Sequence, residues 1–225
     1  MSRTTTEPVV VIVPGLRDHV EEHWQTLLAD RLAEAGRTVR TVPPLTADRL
    51  SCEAGVAALD KVLVQIAGPV VLVAHSAGVI TTVHWSRRHP AQVQVRGALL
   101  VTPPDFEQPL PEGYPTIGVL DENGWIPVPR SPLPFPGIVA ASSNDPLGTV
   151  ERSAELARTW GGRLVELGPV GHLNPASGHG PWPRAEELLS ELEHSSLRHR
   201  GAPSPPADDG PGAAPTGPAD VGTDG

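Results

Sequence analysis

Three side chains of this chain have the types and the spacing needed to activate a serine. Ser76 lies in Val73-Ala74-His75-Ser76-Ala77-Gly78, directly after an apolar run and before a helix-like stretch. A serine hydroxyl is a weak nucleophile unless a base takes its proton, so a chain that uses one must project it toward an imidazole. A sharp strand-to-helix turn does this. It tolerates only small residues two positions to either side, because strand and helix backbones nearly touch there. Ala74 and Gly78 meet that demand, alanine standing where the pattern usually has its first glycine. A nucleophile on such a turn requires an acid and then a histidine, each just past a later strand. Asp145 stands in Ser142-Ser143-Asn144-Asp145-Pro146 after one apolar run, and His172 stands in Gly168-Pro169-Val170-Gly171-His172-Leu173-Asn174 after the next. His172 is the expected proton carrier for Ser76, and Asp145 the group that holds its tautomer and stabilises its cation. Alone, Asp145 also reads as an Asx-turn or helix cap, and His172 as an ordinary loop histidine. Three candidates in the right order at three strand ends favour the chemistry. The oxyanion of a tetrahedral intermediate needs backbone donors, and the N–H groups of Leu16 and Ala77 are expected to supply them, with Arg17 next in line. Losing one such donor costs about 2–4 kcal/mol of barrier.

The elements that must position these groups can be read from the apolar pattern. Short, β-branched, continuously apolar runs recur at 9–13, 70–74, 98–101 and 138–141, with weaker ones at 38–42 and 163–167. Such runs suit strands buried on both faces by helices. Helical stretches are expected over 19–35, 47–66, 78–88, 148–160 and 185–197. The alternation predicts a three-layer, doubly wound α/β fold with a mostly parallel sheet and its sites at the carboxyl ends of the strands. The interval 102–136 breaks the rhythm, being dense in proline without a helical period; it is expected as a long loop over the strand ends, a covering layer or a lid.

Composition bounds the function further. The 225 residues suit one large domain. Residues 1–6 are expected as a flexible start. Residues 198–225 are expected as a disordered tail, because 201–225 are almost wholly Gly, Pro, Ala, Asp, Ser and Thr. Setting aside the four tail aspartates changes the net charge from −9 to −5. Lys61 is the single lysine and the arginines are scattered, so no electrostatic footprint for nucleic acid is present. Cys52 is the only cysteine, which leaves no intramolecular disulfide and fits a reducing compartment. The run 9–13 is too short for an export signal or a membrane span, and a cytoplasmic location is expected.

These motifs carry a resemblance. The chain resembles the small serine hydrolases of the retinoblastoma-binding-protein-9 and bacterial YdeN-like family, a compact branch of the α/β-hydrolase superfamily. The matching stretches are Val13-Pro14-Gly15-Leu16, Glu22-His23-Trp24-Gln25-Thr26, Val73-Ala74-His75-Ser76, Ala141-Ser142-Ser143-Asn144-Asp145-Pro146, Trp160-Gly161, and Gly171-His172-Leu173-Asn174 with Ser177-Gly178 and Trp182-Pro183. They span nearly all of residues 7–197. The resemblance implies a carboxylesterase-like hydrolase that cleaves ester-like bonds of a small acyl substrate through an acyl-serine, with Ser76, Asp145 and His172 as its triad and no cofactor. Departures exist: Ala77 and Val79 replace the leucine and cysteine often found beside the nucleophile, and Leu147 stands where an aromatic residue frequently follows Asp-Pro.

Two rival readings fit parts of the sequence. His19-Val20-Glu21-Glu22-His23 fits H-x-x-E-H, a zinc-binding helix pattern; it lacks a clear third ligand, and carboxylates at a helix start favour the helix dipole without any metal. The second rival is an idle triad on a hydrolase scaffold that serves as a binding protein. His179 is a fallback base, and Asp105 and Asp121 are fallback acids. His75 is expected as a packed neighbour of the nucleophile that could also line a pocket. The five tryptophans are expected in the core, Trp125 alone lying where a lid could use it.

Overall fold

The computed structural model describes residues 7–16, 20–88 and 93–199. Arg17 and His19, and the expected flexible start and most of the tail, lie outside the described residues. Six strands form one wholly parallel sheet in the order β2-β1-β3-β4-β5-β6. The strands are β1 (Val9–Val13), β2 (Val39–Thr41), β3 (Val70–His75), β4 (Val95–Val101), β5 (Gly137–Ala141) and β6 (Arg163–Glu166). Helices α1 (Trp24–Glu34), α2 (Cys52–Leu63), α3 (Ala77–Arg88), α5 (Val150–Trp160) and α6 (Arg184–His199) cover its two faces, and α4 (Ile117–Glu122) lies between β4 and β5.

Alternate residues of each central strand feed two separate cores. Val11, Val13, Leu72 and Ala74 pack with Leu59, Ile80 and Leu156 of α2, α3 and α5. Val10, Ile12, Val71 and Val73 pack with Leu28 of α1 and with Leu188 and Leu189 of α6. All six residues of β3 are buried, so an apolar run without polar alternation is what this strand requires. The chain leaves β1 for the edge strand β2 and returns to β3 on the other side of β1. The sheet therefore reverses its order between β1 and β3, where a doubly wound sheet opens a crevice at its strand ends.

Five sequence expectations change. The first helix begins at Trp24, not at residue 19, because residues 20–23 form a turn and His23 caps the helix, its Nδ1 accepting from the Gln25 N–H at 3.2 Å. The second begins at Cys52, capped by Ser51, so 47–51 stay outside it. The 102–136 interval holds a short helix, α4, capped by Thr116. Trp125 is buried, its indole N–H donating to the Leu50 carbonyl at 2.6 Å, so it is a core residue and not part of a lid. At the other end, α6 runs to His199, two residues past its expected end.

Candidate active site

Ser76 sits between β3 and α3 with a backbone φ of +55°, the left-handed region that a side chain enters only at a cost of about 1–3 kcal/mol. The conformation is held from both sides. The Ser76 N–H donates to the Val101 carbonyl of β4, and the Ser76 carbonyl accepts from the Val79 N–H in the first turn of α3. Gly78 faces the end of β1: a Cβ there would lie 2.3 Å from the Val13 carbonyl oxygen and 2.5 Å from that of Pro14. A Cβ on Gly15 would meet that of Ser76 at 3.1 Å. The small-residue requirement around the serine thus has a concrete cause, the approach of the β1–loop backbone to the turn. Ala74, in register with Val13 on β1, is fully buried.

His172 and Asp145 come from the loops after β6 and β5. The His172 Nδ1 lies 2.8 Å from Asp145 Oδ2 and 3.0 Å from Oδ1, and its Nε2 lies 2.8 Å from Ser76 Oγ. An ionised carboxylate can only accept, so the ring carries its proton on Nδ1 and its Nε2 accepts from the serine hydroxyl. The Asp145 and His172 side chains are 2% and 6% exposed, which removes competing water from the acid–imidazole contact. Asp145 also makes the Asx-turn that the sequence suggested, its Oδ1 accepting from the Leu147 N–H at 2.9 Å. The local role and the contact with His172 coexist in one carboxylate.

The two loops are braced against each other. Ser142 Oγ accepts from the Val170 N–H at 3.2 Å, and Asn144 Oδ1 accepts from the Gly171 N–H at 2.6 Å. Within the histidine loop, Ser177 Oγ accepts from the His172 N–H at 3.0 Å and itself donates to Asn174 Oδ1. Gly171 has φ +58°, and a Cβ on it would meet Ser177 Oγ at 2.6 Å. Among the described residues only Asp48, Ser76, Thr102 and Leu173 are non-glycines with positive φ. Three of these four adjoin the site, a concentration of backbone strain typical of functional centres.

Behind the site stand His75 and Trp24, packed as expected, and the amide of Gln25, which sequence reasoning left without a role. His75 is buried, with its Nε2 2.9 Å from the His172 carbonyl oxygen; a carbonyl only accepts, so this nitrogen carries the proton. Its ring lies 4.8 Å from His23, 5.0 Å from His172 and 5.8 Å from Trp24. Burial, and then the neighbouring imidazoles of His172 and His23, hold His75 well below the usual histidine range, so it stands neutral at pH 7. Trp24 in turn packs edge-on against Trp182. Gln25 is 1% exposed and donates through Nε2 to the carbonyls of Val13 (3.2 Å) and Val73 (3.0 Å). It ties the ends of β1 and β3, the strands that lead into the glycine loop and into Ser76. The His-Trp-Gln sequence of the motif is thus the packing and hydrogen-bonding layer beneath the crevice.

A cleft of about 700 Å³ opens over the serine. Its floor includes Leu16, Ser76, Ala77 and His172; Leu110, Tyr114 and Val119 line it from the 102–136 interval. Ala77 begins α3, where helix geometry leaves the N–H without an intrahelical partner. The interval is tied to α5 by charges. Arg152 pairs with Asp105 (3.3 Å), Glu107 (2.5 Å) and Glu155 (2.7 Å), and Arg130 pairs with Glu107 and Glu155. Asp105 therefore serves Arg152, and neither it nor Asp121, which is exposed on α4, contacts His172. His179 has its N–H bonded to the Asn174 carbonyl and does not contact Ser76. The helix that the zinc pattern requires is not formed over 20–23, a turn in which His23 caps α1. No group of three or more potential metal ligands occurs among the described residues. None of the described helices is long and apolar enough to cross a membrane.

A parallel doubly wound sheet with a strained serine at the turn after β3 and a histidine beyond β6 defines the α/β-hydrolase class. The chain belongs to the serine hydrolase family, whose family model matches residues 10–191. Among solved structures it is similar to a protein described as a YdeN-like hydrolase from Pectobacterium atrosepticum, at 28% identity and TM-score 0.67 over 84% of this chain and 92% of that one. The ydeN gene product of B. subtilis matches at 22% identity and TM-score 0.63, over 83% and 98% of the two chains. Alpha/beta hydrolase domain-containing protein 10 from mouse shares the fold at 14% identity and TM-score 0.63, over 88% and 93%. The curated proteins give no match.

Proposed function

We propose that the protein hydrolyses carboxylic esters or closely related acyl compounds through a covalent intermediate on Ser76. The observation that carries this reading is the unbroken hydrogen-bond chain from Asp145 through His172 to Ser76, with 2.8 Å at the serine. In the first step Ser76 Oγ attacks the acyl carbon while His172 Nε2 takes the hydroxyl proton. The carbonyl π electrons move onto oxygen, which the Leu16 and Ala77 N–H groups receive. Collapse of this oxyanion breaks the bond to the leaving group, and His172 returns the proton to that group. Water then repeats the attack on the acyl-serine, giving its proton to His172; the acid departs and Ser76 regains its hydrogen. Asp145 keeps the Nδ1 proton in place throughout and stabilises the imidazolium formed in each half-reaction. No step calls for a cofactor or a metal, and the partner is a small acyl substrate.

The test is rapid-mix hydrolysis of p-nitrophenyl acetate. An acyl-enzyme route with slow deacylation releases a burst of p-nitrophenol close to the protein concentration, absent from Ser76→Ala. Hydrolysis that persists unchanged in Ser76→Ala overturns the reading. No hydrolysis of any ester by a folded wild type favours a binding role on this scaffold instead.

A further inference from the structure

The cleft over Ser76 is chemically two-sided, and we infer from this that the acyl group is apolar and uncharged, a medium-length aliphatic chain held by the 102–136 interval. The inference rests on the acyl-serine reading above. A tetrahedral carbon on Ser76 has three further directions. The oxyanion takes that of the Leu16 and Ala77 amides. The leaving group must be reached by His172 Nε2, so it departs past His172 and the residues of its own loop, Asn174, Pro175 and Ala176, which line that part of the cleft. The acyl chain takes the remaining direction, toward Phe106, Leu110, Tyr114, Pro115, Val119 and Leu147.

That wall is built of apolar surface with two hydroxyls, the Tyr114 phenol and the Thr116 side chain that caps α4. Asp105 and Glu107, which border it in sequence, are engaged by Arg152 and Arg130 on the α5 side. Among the described residues no Asp, Glu, Lys or Arg lines the cleft, so a charged acyl group would lose its water there without gaining a counter-ion from them. The apolar character continues outward. The exposed large hydrophobic side chains among the described residues are Val20, Leu50, Val64 and Ile117. Val20 and Leu50 line the cleft. Two of the four thus lie at the cleft, a placement expected where an apolar ligand enters. The volume of about 700 Å³ exceeds the needs of an acetyl group and lies in the range of sites that enclose small organic ligands.

The experiment is a kcat/KM series on p-nitrophenyl esters, which hold the leaving group constant while the acyl group changes from acetate to butanoate, hexanoate and octanoate. The expected result is a rise of roughly threefold to fourfold per methylene over the first steps, about tenfold or more from acetate to hexanoate. The 6-aminohexanoate and monoadipate esters, which carry a charge at the chain end, should fall about tenfold or more below hexanoate. Val119→Asp should reduce the hexanoate-to-acetate ratio, whereas Val64→Asp, on a surface away from the cleft, should leave that ratio as in wild type. A flat or falling series, or charged esters cleaved as well as hexanoate, overturns the acyl assignment while leaving Ser76 as nucleophile. Loss of both turnover and fluorophosphonate labelling in folded wild type overturns the Ser76 reading and the acyl assignment with it.

Discussion

The turn that carries Ser76 and the interval that lines the cleft above it are fixed by different forces. At the turn, backbone packs on backbone: the Val13 carbonyl lies where any Cβ on Gly78 would have to go, and Gln25 joins the strand ends on either side. In the 102–136 interval, α4 has six residues, and the segment is held to α5 through the arginine–carboxylate cluster and by buried Phe106, Leu120 and Trp125. The first kind of restraint holds the reacting atoms in position and tolerates almost no substitution. The second leaves the side chains facing the cleft open to change without disturbing the turn. On the function proposed above, chemistry and choice of acyl group reside on separable parts of the chain.

The largest expected effect comes from the reacting groups themselves. Ser76→Ala and His172→Ala should each lower kcat by about four to six orders of magnitude, and Asp145→Asn by about four, with little change in urea midpoint. Combining Ser76→Ala with His172→Ala should cost little more than either alone, since the groups act as a unit. Equal, additive and small losses would mean that the three side chains do not act together.

One substitution made in both regions sharpens the contrast. Gly78→Ala should destabilise the fold by about 1–3 kcal/mol or more, because the new Cβ meets a backbone carbonyl that cannot move aside. Gly118→Ala, in α4 with nothing within 4 Å of its added Cβ, should be neutral or stabilise by about 0.5–1 kcal/mol. Urea unfolding of the two variants measures both. Similar costs at both positions would contradict the distinction between the regions.

The smallest effect expected is a two-stage pH dependence of stability. Burial lowers the affinity of His75 and His84 for protons below the usual 6.5, so the unfolded chain binds protons that the folded chain refuses. Their contribution is fully present above about pH 6.5 and declines as the pH falls below it. Glu107 and Glu155 are different: burial opposes the charge on Glu107, yet hydrogen bonds from Arg130 and Arg152 outweigh it, and the same two arginines lower Glu155. That contribution is present above the ordinary 4.5 and is lost as the pH falls through the lowered values. Thermal unfolding from about pH 8 down to about pH 2 should show both stages. His75→Gln should flatten the upper one, and Arg152→Met the lower.

Much of the fold could be read from the chain because its strands are short apolar runs buried on both faces, and Ser76, Asp145 and His172 follow three of them in order. The supporting layer was less legible for physical reasons. Gln25 works by reaching carbonyls 12 and 48 residues away, a pairing with no local pattern. His23 caps α1 although imidazole is not among the common caps, which is why the first helix seemed to begin earlier. Proline-rich flanks and Gly118 hid α4, whose single turn and a half is too short to display a period. Trp125 sat in an irregular stretch, and only the fold brings its indole to Leu50.

The most direct measurement of the central claim is labelling with a fluorophosphonate probe followed by peptide mapping of the modified residue. The account predicts stoichiometric modification of wild type on the peptide containing Ser76, its loss in Ser76→Ala, and strong slowing in His172→Ala. Modification that survives Ser76→Ala, or maps to another residue, would contradict it.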